Sequence, residues 1–167
     1  MSFALRAATT FGLGFMRPAS GTWGSLPTVL IAGGLIASGA GPVEMPILYH
    51  AVLAAVFLFF CWASLAGGGE AEYVFGKKDP GKVVADETAG QVLPLIALPA
   101  ASLATGPTTL FTLAFAFVAF RVADIVKPWP ARSLQKLPGG LGILVDDLFA
   151  GLYALAAVQI AAQLALG

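Results

Sequence analysis

The stretch MPILYHAVLAAVFLFFCWASLAGGG, residues 45–69, runs for 25 positions without Asp, Glu, Lys or Arg. A helix that crosses the hydrocarbon of a bilayer needs about 20 apolar residues, so this run is long enough to span. Taken singly it would also suit a buried core helix. The rest of the chain decides between the two, because three more charge-free runs accompany it, at 18–43, 88–120 and 148–167. The chain has 167 residues, is 58% hydrophobic and is only 11% charged. A soluble domain carries about 25% charged residues, so four such runs point to a membrane protein.

The run 88–120 contains Pro94, Pro99, Gly106 and Pro107, and reads as two short segments joined by a turn at 105–108. The expected fold is therefore all-α: one polytopic membrane-embedded domain over 1–167. About five membrane segments are expected, near 24–39, 46–66, 88–102, 108–120 and 148–166. The third and fourth are short enough to be broken or re-entrant, an arrangement tolerated where the backbone lines a site. Gly67-Gly68-Gly69 reads as the end of the second helix. Arg17 interrupts any apolar signal region, so the N-terminus does not read as a cleaved leader. Cys61 is the only cysteine, which excludes an intrachain disulfide.

Lys and Arg set the orientation. Arg6 and Arg17 precede the first segment; Lys77, Lys78 and Lys82 lie between the second and third; Arg121, Lys127, Arg132 and Lys136 lie between the fourth and fifth. An even number of crossings separates these groups, so all nine basic residues share one side, the cytoplasmic one. Eight carboxylates map to the same side: Glu70, Glu72, Asp79, Asp86, Glu87, Asp124, Asp146 and Asp147. The positive-inside rule does not explain carboxylates. Several sit where a segment begins or ends, and ionisable groups at membrane depth are read first as functional. Net charge is zero, so global charge points to no nucleic-acid partner. The lone His50 falls on the opposite side and Trp23 and Trp129 near the cytoplasmic interface, as in an aromatic belt.

Four constellations carry the chemistry. Asp79-Pro80-Gly81 is followed by Asp86-Glu87, adjacent carboxylates that repel unless a cation or proton intervenes. Hard oxygen ligands of this kind suit Mg²⁺, although helix capping also favours acidic residues at a first turn. Gly139-Gly140-Leu141-Gly142 precedes Asp146-Asp147, a glycine-rich loop that can approach an anion followed by a second acidic pair. Arg121 and Asp124 are three residues apart on one helix face, with Lys127-Pro128-Trp129-Pro130 just beyond. Their chemistry is either a local salt bridge or a grip on phosphate oxygens. Gly21-Thr22-Trp23-Gly24-Ser25 stands before the first segment, where Thr22 and Ser25 can cap the helix or receive a phosphate. There is no Cys-x₅-Arg loop, no His near the basic residues, no Asp-x-Asp-x-Thr motif and no Walker loop. Carboxylates with a metal remain as the chemistry.

These four segments, in order over about residues 11–151, resemble the phosphatidylglycerophosphatase A family. The two that carry most of the likeness are Phe120-Arg121-Val122-Ala123-Asp124-Ile125-Val126-Lys127-Pro128-Trp129-Pro130 and Gly139-Gly140-Leu141-Gly142-Ile143-Leu144-Val145-Asp146-Asp147. Ser20 departs from the family, which usually has proline before Gly-Thr, and residues 64–75 match poorly. The resemblance implies an Mg²⁺-dependent phosphomonoesterase of the bacterial inner membrane, with its site facing the cytoplasm. Its substrate would be phosphatidylglycerophosphate, hydrolysed to phosphatidylglycerol. Asp86, Glu87, Asp146 and Asp147 are then the expected metal ligands and catalytic carboxylates, with Asp79 and Asp124 as further ligand candidates. Arg121 and Lys127 are expected to hold the phosphate, with Thr22, Ser25, Gly139 and Gly140 as further phosphate contacts. Water deprotonated by a carboxylate and a direct carboxylate nucleophile both remain open. The alternative from another class is a small cation channel or transporter with an acidic vestibule.

Overall fold

A computed structural model describes residues 1–129, 131 and 139–166. Among these every regular element is helical. The elements are α1 (Phe3–Ala8), α2 (Ser20–Ala37), α3 (Pro46–Phe75), α4 (Ala85–Gly90), α5 (Leu93–Ile96), α6 (Gly106–Val126) and α7 (Gly139–Leu166). Short 3₁₀ turns lie at Thr10–Phe15 and Ala100–Leu103. Three helices are long and apolar enough to cross a membrane: Pro46–Phe75, Gly106–Val126 and Gly140–Ala165. They answer three of the five expected segments. The first expected segment is the 18-residue α2, and the third is broken into α4, α5 and a 3₁₀ turn. Pro94 and Pro99 account for that break, since each removes an amide donor and fixes its own φ.

The segments run alternately between two ends. At one end Ser25 of α2 meets Arg121 of α6. At the other, His50 near the start of α3 hydrogen-bonds the Ile96 carbonyl at 2.9 Å, at the end of α5. Between them lies a core of Ala32, Tyr49, Leu53, Val92, Leu95, Leu113, Ala116 and Val158. Tyr49 is fully buried there, and its hydroxyl donates to the Leu95 carbonyl at 2.9 Å. The turn expected at 105–108 is present as a reciprocal cap, in which Thr105 and Thr108 satisfy each other's backbone amides.

Two expectations about helix ends are corrected. Gly67-Gly68-Gly69 does not end the second helix: α3 continues to Phe75 and stops at Gly76, whose φ is +64°. Gly67 and Gly68 instead form a seam. A Cβ on Gly67 would lie 2.5 Å from the Ala4 carbonyl oxygen, and one on Gly68 would lie 2.6 Å from Gly140 Cα. Close backbone approach, which only a missing Cβ permits, outweighs the intrinsic helix penalty of glycine. Second, Asp146-Asp147 does not open the last helix. α7 starts at Gly139, so both residues lie two turns inside it, about 10 Å along its axis.

The seam gives a first expected outcome. Gly68→Ala places a methyl group against the α7 backbone, and overpacking of this kind costs about 1–3 kcal/mol. Thermal unfolding of the detergent-solubilised protein should show a clearly lowered midpoint. An unchanged midpoint would mean that α3 and α7 are not held this closely.

Candidate active site

α4 presents Asp86 and Glu87 from its first turn, and buried hydrogen bonds set its position. The Val84 amide donates to the Ala8 carbonyl at 3.0 Å. The Thr88 hydroxyl lies 2.8 Å from the Gly24 carbonyl, and the Thr28 hydroxyl donates to the Thr88 carbonyl at 2.8 Å. α4 also runs hard against α7, where Cβ atoms on Gly90 and Gly151 would lie 2.6 Å from the Asp147 carbonyl oxygen and 2.4 Å from the Gly90 carbonyl oxygen. The carboxylates of two elements distant in sequence are thereby brought together. One oxygen each from Asp86, Glu87 and Asp147 lie within 4.8 Å of one another.

The basic groups close this cluster from the α6 side. Arg121 Nη1 is 2.8 Å from Asp124 Oδ2 and 3.9 Å from Glu87 Oε1, and it donates to Ser25 Oγ at 3.5 Å. Lys127 pairs with Asp146 and stands 4.0 Å from Asp124 Oδ1. Burial alone would lower the lysine's pKa, but the Asp146 carboxylate outweighs it and holds Lys127 above its ordinary value. On the acidic side, burial followed by the charges of Glu87 and Asp147 pushes Asp86 well above the usual carboxylate range. Burial is also the main cause that raises Glu87, with the Arg121 guanidinium partly offsetting it.

The donor set fits a divalent cation. Asp86 Oδ1, Glu87 Oε2 and Asp146 Oδ1 are buried and have no hydrogen-bond partner. Buried polar atoms are nearly always satisfied, and two of these orphaned oxygens belong to Asp86 and Glu87, residues of the close group, which points to a positive ligand there. Oxygen donors of this hardness suit Mg²⁺. Arg121 Nε is likewise buried without a partner, a donor facing no acceptor.

Most of the residues singled out by sequence converge. Asp86, Glu87 and Asp147 form the tight group, Asp124 binds Arg121, and Asp146 is held by Lys127. Asp79 is half-buried at φ +48°, donates its backbone amide to Glu72 Oε1 at 3.3 Å, and acts on Asp86 electrostatically. Among the further phosphate contacts, Ser25 touches Arg121 and also donates to the Gly21 carbonyl at 2.8 Å. Thr22 stands one residue from Gly21 in the first turn of α2. Gly140 is packed on α3: a Cβ there would lie 2.1 Å from the Ser64 carbonyl oxygen. Packing alone thus requires its glycine. Gly139 begins α7. Pro130, Arg132 and Lys136 lie outside the described residues.

One site residue escaped the sequence reading. A Cβ on Gly21 would sit 2.4 Å from Glu87 Oε1 and 2.7 Å from both Arg121 Nη atoms. Gly21 is therefore what lets Glu87 and Arg121 meet beside α2. Its signal was the Gly-Thr-Trp-Gly-Ser motif, whose hydroxyls and glycines read as a phosphate contact or helix cap and not as space for Glu87 and Arg121.

An apolar helical bundle of membrane-crossing length, with buried carboxylates and an Arg–Lys pair meeting at one end, has the makings of a membrane-associated phosphatase. Comparison with known proteins gives the same class and makes it specific. The chain belongs to the phosphatidylglycerophosphatase A family, whose model matches residues 6–162. It is 34% identical to phosphatidylglycerophosphatase A of Haemophilus influenzae over 90% of this chain and 83% of that one. It is 33% identical, over 92% of this chain and 89% of the other, to a Bacteroides thetaiotaomicron protein named "Putative phosphatidylinositol-3-phosphatase". Phosphatidylglycerophosphatase A of Escherichia coli is 39% identical over 46% of this chain and 41% of its own length. No solved structure matches.

Proposed function

We propose that the protein is an Mg²⁺-dependent lipid phosphomonoesterase that converts phosphatidylglycerophosphate to phosphatidylglycerol and inorganic phosphate at the cytoplasmic face of a bacterial inner membrane. The observation that carries this reading is the meeting of Asp86, Glu87 and Asp147 within 4.8 Å, with an orphaned oxygen on each of Asp86 and Glu87, beside Arg121 and Lys127. The names of the Haemophilus influenzae and Escherichia coli relatives support the substrate. The one-sided distribution of Lys and Arg supports the orientation. Membership in a phosphatase family sets the channel alternative aside.

Asp86, Glu87 and Asp147 would hold the cation. When bound, Mg²⁺ supplies neutralising charge for the phosphate and makes a nearby water more acidic. Arg121 and Lys127 hold the non-bridging phosphate oxygens and stabilise the charge that builds on them. Hydrolysis breaks the bond between phosphorus and the glycerol oxygen, and joins a water oxygen to phosphorus. The water proton passes to a carboxylate, for which the unpartnered Asp146 Oδ1 is the available atom. The departing glycerol oxygen takes up a proton, leaving an alcohol on the lipid.

The test is phosphate release from phosphatidylglycerophosphate in detergent, with phosphatidylinositol 3-phosphate measured alongside. Release is expected to fall to background in EDTA and to return on adding excess Mg²⁺. Turnover that survives thorough chelation removes the metal from the reading. A clear preference for the inositol lipid removes the substrate.

A further inference from the structure

We infer that the cleft between α2 and α6 seats one acyl chain of the lipid substrate and so aims its phosphate at Arg121; this rests on the lipid-phosphatase reading above. The cleft has a volume of about 740 Å³, within the range of roughly 300–1,000 Å³ typical of ligand sites. Its walls are continuous with the site. On α6, Leu110, Ala114 and Phe117 line the cleft, and the next position along that same helical face, four residues on, is Arg121. On α2, Leu26, Val29 and Gly33 line it, and the same face continues back one turn to Thr22. The two stripes therefore pass from an arginine and a hydroxyl at the site end to apolar walls beneath.

The dimensions suit a single chain. From Leu26 to Ala37 the α2 wall covers twelve residues, eleven rises and so about 17 Å along the helix. Half of a hydrocarbon core is about 15 Å deep. The cleft begins one turn from Arg121 and Thr22 and ends at Glu44 and Thr105, so an amphipathic molecule with an anionic head at Arg121 and a tail about one leaflet long lies along its apolar stretch between them. Lipid tails are as apolar as the walls, so entering the cleft gains little hydrophobic energy. Its effect is orientation: a seated tail restricts where the phosphate can sit, which is a proximity effect on kcat.

The experiment compares two substrates, dipalmitoyl phosphatidylglycerophosphate and its water-soluble deacylated headgroup. Gly34 lines the cleft, and a Cβ added there meets nothing within 4 Å, so Gly34→Phe fills the space without moving backbone. The ratio of lipid to headgroup kcat should fall about tenfold in Gly34→Phe, a moderate misplacement effect. It should stay unchanged in Leu58→Phe, a change on the exposed face of α3. Equal losses on both substrates, or no loss on either, overturn the inference. Equal losses accompanied by a change from dimer to monomer mass would assign the cleft to a second copy of the chain instead. A second readout does not depend on turnover. Phosphatidic acid with a diazirine near the end of one acyl chain, irradiated in vesicles with the full-length protein, should label residues 26–37 and 103–117 in excess over the α3 face. Gly34→Phe should remove that excess. Even labelling of all lipid-facing helices overturns the cleft whatever the phosphatase assay gives. Preserved labelling in a wild-type protein that hydrolyses neither substrate would instead sink the functional reading and leave a lipid-binding cleft.

Discussion

Asp86→Asn is expected to lower phosphate release by about 10²–10³-fold, the range seen when one preorganised electrostatic group is removed from an active site. The substitution is nearly isosteric, so packing is preserved while one charge is lost. In the native protein that charge stands beside Glu87 and Asp147, and the three converge closely enough to share one ion. Two consequences distinguish this loss from misfolding. The Mg²⁺ concentration needed for half-maximal residual activity should rise, because one of the three proposed oxygen ligands has become a weaker neutral donor. The thermal midpoint measured in EDTA should be at least as high as that of the wild type, because without a cation burial and the neighbouring carboxylates already disfavour the charge that asparagine removes. A variant that melts far below the wild type in EDTA would mean that Asp86 serves the fold. A variant with wild-type turnover would remove it from the site altogether.

Arg121→Lys should cost a similar factor, about 10²–10³ in kcat/KM, through a different cause. The side chain is the hinge of the site: it reaches Asp124, Glu87 and Ser25 at once. It does this with Nη1, while Nε remains buried without a partner. A guanidinium offers a planar fork of donors to a phosphate, and an ammonium offers only a point charge. Lysine therefore preserves the charge balance with Asp124 and Glu87 but loses the geometry. The Mg²⁺ concentration dependence should stay close to that of the wild type, in contrast to Asp86→Asn. Full activity in Arg121→Lys would show that charge alone matters there and would remove the bidentate grip. A large shift in Mg²⁺ dependence would make Arg121 a support for the carboxylates and not a phosphate ligand.

The two variants also show what was legible in the linear chain. Asp86-Glu87 and Arg121-x-x-Asp124 are local patterns, so their shared helix turns and their chemistry could be read directly. The pairing of Lys127 with Asp146 and of Glu87 with Arg121 could not, because residues 19 and 34 apart have no spacing rule to relate them. Gly67-Gly68-Gly69 shows the opposite failure. Read locally, three glycines end a helix. In the fold Gly67 and Gly68 are the surface on which α1 and α7 rest, and a tertiary contact overrides a weak local preference.

By itself the chain determined that the fold is helical and of membrane-crossing length, because four charge-free runs have no other economical way to satisfy their backbone amides in lipid. It also gave the expectation that most charged groups gather at one end, and among the described residues Asp86, Glu87, Arg121, Asp124, Lys127 and Asp146 do meet there. Tertiary structure decided which carboxylates meet. It placed Asp147 two turns inside α7 and set it against the first turn of α4, through glycine contacts at Gly90 and Gly151. It also decided that Gly21 leaves room for Glu87 and Arg121. The physical reason is common to both. Segment identity follows from transfer of each stretch into lipid, a property of that stretch alone, whereas a site follows from how closely separate helices can pack, a property of pairs of surfaces.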